Sequence, residues 1–259
     1  MVTTAPAEPI LSAEAAIAAL QGEDNQLRYY AAWWLGKHQI QAAWRVLCEA
    51  LQDERYRTVE GGYPLRRQAA RALGQLKQRE AVPALLAALG DSTDLPLREV
   101  VVQALAEIGD RRAVSPLLAL LQADGEQPYE ALIEALGTLQ VEEACPLVEP
   151  FLQHASERVQ CAAARYLFLI THQTPYLERI VQTLSHENPY LRWAAAFDLG
   201  AIGHVAAAQA ILDAKIANSL KLLNLKRILA AVLSHESETV QQNTVQFLFH
   251  AIDNLLIQL

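Results

Sequence analysis

The chain has 259 residues, 52% of them hydrophobic, with a formal net charge of -8. That is enough apolar material for a large core without disulfide staples, and the acidic balance without any Lys/Arg-rich block excludes the electrostatic footprint of a nucleic-acid or anionic-membrane binder. Cys48, Cys145 and Cys161 form no CxxC pair, which speaks against a disulfide framework or a zinc site.

The chain opens on "MVTTAPAEPILSAEAAIAAL", which lacks a basic region leading into an apolar run. Residues 1–12 are expected to be a flexible tail, and the protein is expected to be soluble and cytoplasmic, without membrane insertion. From 13 on, the sequence repeats. Aligned on a Leu-Gly pair, helical segments begin at Leu27, Leu65, Leu97, Pro128, Val159 and Leu191, spaced 38, 32, 31, 31 and 32 residues apart. Second segments rich in helix formers lie between them and carry Pro83, Pro116 or Pro146 near their starts, where proline's missing N–H has no intrahelical partner to lose. No period-2 run competes. The reading is all-α: a single α-solenoid domain over 13–259 of about six to seven short HEAT-like helix pairs.

Within the first repeat, "RYYAAWWLG" (Arg28 to Gly36) places four aromatic rings in six positions, more than one buried stripe can take. The first, fifth and ninth repeat positions, such as Leu65/Ala69/Leu73 and Leu97/Val101/Leu105, predict the buried stripe. The third and seventh hold Arg67/Arg71, Glu99/Gln103 and Glu130/Glu134 and predict a solvent column. In the first repeat this column holds Tyr29 and Trp33, and in the sixth Trp193 and Phe197; Tyr30 and Trp34 fall nearer the predicted core. Because equivalent positions of successive repeats adjoin, Tyr29/Trp33 are expected beside Arg67/Arg71, a surface suited to a flat, conjugated, carboxylated ligand. Packing of these aromatics against the N-terminal segment is the plainer alternative. Arg28, Arg66, Arg98 and Arg192 share another column, with Asp24, Asp94 and Asn188 four residues before three of them, and read as a structural ladder.

The longer first interval falls in "DERYRTVEGGYPLRRQ". Gly61-Gly62 before Tyr63-Pro64 interrupts any helix and predicts a loop over 53–66 carrying Arg55, Arg57, Glu60 and Tyr63. "SHENPY" and "SHESET" lack the second histidine of HExxH, so His186 and His235 are read as exposed. The cysteines read as small buried hydrophobes. The closing stretch 216–259 predicts two longer helices, and Val240, Val245, Phe247, Leu248, Phe249, Ile252, Leu255, Leu256, Ile257 and Leu259 are too many apolar residues for one buried face, which predicts a protein-partner surface.

"RYYAAWWLG" followed by "YRTVEGGYPLRRQAARALG", over short HEAT-like repeats, resembles the E subunits of the E/F-type phycocyanobilin lyases of cyanobacteria. The resemblance implies an enzyme subunit that works with an F-type partner and attaches phycocyanobilin through a thioether to a cysteine of the phycocyanin α apoprotein, and that can remove or transfer it. Phycocyanobilin is then a substrate, with no tightly bound cofactor or metal. On this reading Tyr29, Trp33, Trp34 and Tyr63 stack on the tetrapyrrole, and Arg55, Arg57, Arg67 and Arg71 meet its propionates. Tyr29, Tyr30 or Glu60 are the proton-transfer candidates. A related lyase of the family isomerises the bilin through a His-Cys motif in its F-type partner; no adjacent His-Cys occurs here, and a phycoerythrocyanin-type lyase stays open. The competing class is a non-catalytic HEAT-repeat scaffold binding bilins or phycobiliproteins, as in phycobilisome degradation.

Overall fold

The computed structural model describes residues 10–91, 94–234 and 241–258. Most of the 1–12 tail, together with His235, Val240 and Leu259, lies outside the described residues. Among those described there is no strand. The order is α1 (Ala13–Leu20), α2 (Asn25–Lys37), α3 (Trp44–Ala50), α4 (Pro64–Leu76), α5 (Val82–Asp91), α6 (Leu95–Ile108), α7 (Val114–Leu121), α8 (Tyr129–Thr138), α9 (Cys145–Val148), α10 (Glu157–Thr171), α11 (Thr174–Thr183), α12 (Pro189–Ile202), α13 (Ala208–Asp213), α14 (Asn218–Ser234) and α15 (Gln241–Ile257). This is the HEAT-like solenoid architecture. The repeat pattern reads as one domain, whereas the chain clusters into two compact units, one ending at Ala144 and the other starting at Cys145.

Local signals set the helix boundaries. Asp24 and Asp94 accept from Leu27 N and Leu97 N, and Asn188 from Tyr190 N, as side-chain caps of α2, α6 and α12, so these residues cap helices. Pro83 and Pro146 stand in the first turn of α5 and α9, as the missing N–H allows. Before α3, α5, α7, α9 and α13 the chain makes a 3-10 turn ending on a buried alanine: Ala43, Ala81, Ala113, Ala144 and Ala207.

The predicted stripe is buried at Ala31/Leu35, Leu65/Ala69/Leu73, Leu97/Val101/Leu105, Val159/Ala163/Leu167 and Ala195/Leu199; Leu27 and Leu191, at the helix starts, are half-buried. The Leu-Gly pair has a steric cause. A methyl on Gly36 would stand 2.8 Å from Ala72 Cα, and one on Gly74 would stand 2.9 Å from Ala104 Cα. Glycine lets α4 approach α2 and α6 approach α4 along these lines, and each notch is covered by a polar side chain of the following repeat: Gln75 over Gly36, Glu107 over Gly74, and in the second unit Asn224 over Gly200.

The two closing helices form as predicted. On α15, Leu248, Ile252 and Leu255 are buried at helical spacing, in one cluster with Leu225 and Ile228 of α14. Phe247, Phe249, Leu256 and Ile257 stay exposed.

Candidate functional site

The buried stripe of α2 consists of Arg28, Ala31, Ala32, Leu35 and Gly36. Small residues occupy the inward positions, so all four rings are displaced outward. Tyr29 is 39% and Tyr30 46% exposed, and Trp33 and Trp34 are half-buried. Tyr30 is therefore not nearer the core than Tyr29. The stripe takes in Arg28, one position after the predicted Leu27, which rotates Tyr30 onto the open face. There it stacks on Trp33 with ring centroids 5.3 Å apart. Lys37 Nζ stands 4.5 Å over the Trp33 ring, and Trp34 stacks on His38 at 4.1 Å.

The expected meeting of these rings with arginines takes a different form. α4 packs beside α2, but Arg67 gives Nε and Nη2 to Asp94 at 3.2 and 3.0 Å, and Arg71 donates to Gln68 Oε1. Among the described residues the cation over Trp33 is Lys37. Two guanidinium–ring pairs lie at the insertion, where Tyr63 has Arg57 Cζ at 5.4 Å and Arg66 Cζ at 4.9 Å from its ring centroid.

The insertion runs between Ala50 at the end of α3 and Pro64 at the start of α4, so its C-terminal edge falls before the predicted residue 66. Asp53 accepts from Arg28 Nη2 at 2.6 Å, Arg55 Nε at 3.3 Å and Tyr56 N at 3.0 Å. Burial alone would raise its pKa, but these donors outweigh it and hold the carboxyl below the usual carboxylate range. Arg55 also reaches Glu23. Thr58 N donates to Gly62 O at 2.8 Å, Gly62 N donates to Thr58 Oγ1 at 3.0 Å, and Gly61 takes φ +89°, a backbone state that favours glycine. Val59 and Glu60 project from the tip, fully open to solvent in the case of Val59.

The arginine ladder is structural and reaches partners beyond the i, i+4 spacing. Arg28 gives Nε to Leu20 O and pairs with Asp53, both side chains 4% exposed. Arg66 donates to Leu51 O, Arg98 to Gln127 and Arg192 to Lys215 O, His186 O and Glu187 O. Three of the four thus bind main-chain carbonyls at chain turns. Sequence reasoning missed Asp53, Lys37 and Glu107. Burial raises the pKa of Glu107, against the pull of Lys77 and Arg71, and its carboxyl rests over Gly74.

Burial disfavours the thiolate at Cys48 and Cys161. Burial, with Glu49 beside it, pushes Cys48 up to about 11; burial also raises Cys161, which contacts Thr183 Oγ1 at 3.4 Å. Cys161 is buried as predicted, whereas Cys48 and Cys145 are half-buried. Among the described residues no three His, Cys, Asp or Glu side chains gather as a metal site, and no helix is long and apolar enough to cross a membrane.

Two family models match: HEAT repeats over 62–131 and the PBS lyase HEAT-like repeat over 27–53 and 191–216. The bilin biosynthesis protein PecE of Mastigocladus laminosus is 66% identical over the full length of both chains. This chain belongs to the family of bilin lyase E-type, or alpha, subunits. The phycocyanobilin lyase subunit alpha of Nostoc sp. PCC 7120 is 47% identical over 91% of each chain. The solved complex of CpcE and CpcF of phycocyanin lyase from Nostoc sp. PCC7120 contains a chain of the same fold, with a TM-score of 0.81, 44% identity and 98% coverage of each chain. As a family member the chain is a lyase subunit, and a scaffold without chemistry is the disfavoured class.

Proposed function

We propose that this protein is the E-type subunit of a heterodimeric bilin lyase that, with an F-type partner in the cytoplasm, joins phycocyanobilin to a cysteine of a phycobiliprotein α apoprotein. The observation that carries this reading is 66% identity to PecE of Mastigocladus laminosus over the full length of both chains, with the aromatic run and the insertion both present in this chain. In the reaction the acceptor's sulfur bonds to the exocyclic carbon of the ring A ethylidene, the double bond is consumed, and the thiol proton's equivalent ends on the adjacent ring carbon. Nothing is oxidised or reduced. The protein's share is placement of the bilin and of a proton. Phycocyanobilin is a substrate and no resident cofactor is invoked.

The site we assign lies on the open face of α2 and the insertion. Tyr29, Tyr30, Trp33 and Trp34 offer π surface, while Arg57, Arg71 and Lys37 offer charge to the two propionates. Arg67 and Arg55, engaged by Asp94 and Asp53, act mainly in holding the insertion. Tyr29, Tyr30 and Glu60 remain the proton-transfer candidates, all of them open to solvent.

PecE of Mastigocladus laminosus is about twenty percentage points closer than the phycocyanobilin lyase alpha subunit of Nostoc. This favours, as the second reading, a phycoerythrocyanin-type acceptor. Coexpression with an F-type partner, phycocyanobilin supply and either the phycocyanin or the phycoerythrocyanin α apoprotein tests both. Zinc-fluorescent apoprotein surviving denaturing electrophoresis is expected with one acceptor in preference to the other. No covalent product with either acceptor would overturn the lyase assignment.

A further inference from the structure

Both ends of the insertion terminate on a buried carboxylate. At the entry, Asp53 gathers Arg28, Arg55 and Tyr56 N, and Arg28 is itself fixed to Leu20 O and Asn25 Oδ1 at 3.2 Å each. At the exit, Asp94 accepts from Tyr63 N at 3.1 Å and from Arg67, while also capping α6 through Leu97 N. Between the two anchors the tip closes on itself through Thr58 and Gly62, and Tyr63 is held between Arg57 and Arg66. Neither anchor is placed to touch a ligand, since the Asp53 and Asp94 side chains are 4% and 5% exposed.

Left unanchored, a loop containing two adjacent glycines samples many backbone states, and a ligand that uses it must order it on binding. Here the ordering is built into the free protein by two carboxylates that belong to different structural contexts, one facing the α1–α2 corner and one the start of α6. We infer that Asp53 and Asp94 are positioning residues for the bilin site, holding the insertion so that Arg57 and Tyr63 meet the tetrapyrrole already in place. This rests on the proposed function.

The test uses the complex with the F-type partner. Asp53→Asn and Asp94→Asn remove one charge each, and asparagine preserves the α6 cap. Because Asp53→Asn leaves Arg28 buried and unpaired, the double variant Arg28→Met with Asp53→Leu removes both charges and keeps the packing. Two quantities are read: hydrogen exchange of the amides from 54 to 62, and KM and kcat for phycocyanobilin. Each variant is expected to exchange faster in the loop and to raise KM about tenfold, with kcat within about twofold. Arg57→Ala, which also removes the bond from Arg57 Nε to Gly61 O at 3.4 Å, is expected to raise KM. A folded double variant with an unchanged loop, or with a loosened loop and unchanged KM, overturns the positioning role while leaving the lyase assignment intact. An unchanged KM in Arg57→Ala removes the insertion from the bilin site, and the positioning role falls with it.

Discussion

The first and sixth repeats start from the same template and end differently. Each begins with a capping residue, Asp24 or Asn188, each carries a ladder arginine, Arg28 or Arg192, and each closes on a glycine notch filled from the next repeat. Both also expose aromatics: Tyr29, Tyr30 and the half-buried Trp33 in one, and Tyr190, Trp193 and Phe197 in the other, where Arg227 stands 5.5 Å over Phe197. The difference lies in the arginine. Arg28 is sealed against the carboxylate that opens the insertion, while Arg192 bonds, among the described residues, to carbonyls at chain turns. The two repeats thus share an aromatic column, and the anchored loop beside the first is what separates them.

The largest break in this symmetry is expected from the ion pair. Asp53→Leu alone, which leaves Arg28 buried without a counter-charge, should cost about 3–5 kcal/mol and lower Tm by roughly 10 °C, whereas Arg192→Met should cost about 1 kcal/mol. Parallel thermal melts decide it, and equal losses would erase the distinction. The pair's stabilisation has a defined pH window. The folded-state pKa of Asp53 is depressed, so the contribution is complete above the unfolded value of about 4 and is lost as pH falls through the lower folded value. The gap between Asp53→Leu and wild type should therefore narrow below about pH 4.

Next in size come the notches. Gly36→Ala and Gly200→Ala should each destabilise by about 1–3 kcal/mol, because the new methyl meets Ala72 or Asn224. Gly90→Ala, with nothing within 4 Å, should be neutral or slightly stabilising. Urea melts would show whether the close approach is equally tight in both repeats.

Function should divide the repeats as well. Trp33→Ala with Arg57→Ala is expected to weaken bilin-induced circular dichroism about tenfold or more, and Trp193→Ala with Phe197→Ala to change it less than about twofold. Equal losses would assign the aromatic column as a whole to the ligand. The smallest effect concerns Glu107. Its raised pKa means that folding favours the protonated form, a contribution present below the unfolded value and lost as pH rises through the folded one. Glu107→Gln should raise Tm by less than about 2 °C at pH 7 and by nothing at pH 4.

The repeat, its period, the proline positions and the buried Leu/Ala stripe were all legible, because each repeats along the chain and sequence periodicity records it directly. The face of Tyr30 was not. A one-residue rotation of the stripe came from Arg28 being buried, and arginine does not read as an inward residue unless its carboxylate is known. Asp53 lies 25 residues away in sequence, beyond any helical spacing. The arginine ladder was legible as structural, but its bonds to Asp53, Gln127 and the carbonyls of Leu20, Leu51 and Lys215 were not, since they lie beyond helical spacing. In the site, ring exposure was visible as an excess over what one stripe can bury. The engagement of Arg67 by Asp94 depends on how the insertion folds, which no periodicity encodes.

The notch side chains make the repeats unequal parts of a sequence with a fixed order. Gln75 seats at Gly36, Glu107 at Gly74 and Asn224 at Gly200, so at these three junctions a repeat carries a polar key cut for its predecessor. Exchanging the second and third repeats would bring a glutamate to Gly36, beside a tryptophan-rich face that now borders an amide. Duplication can lengthen such a protein easily, but shuffling its units rewrites the chemistry of every junction it touches.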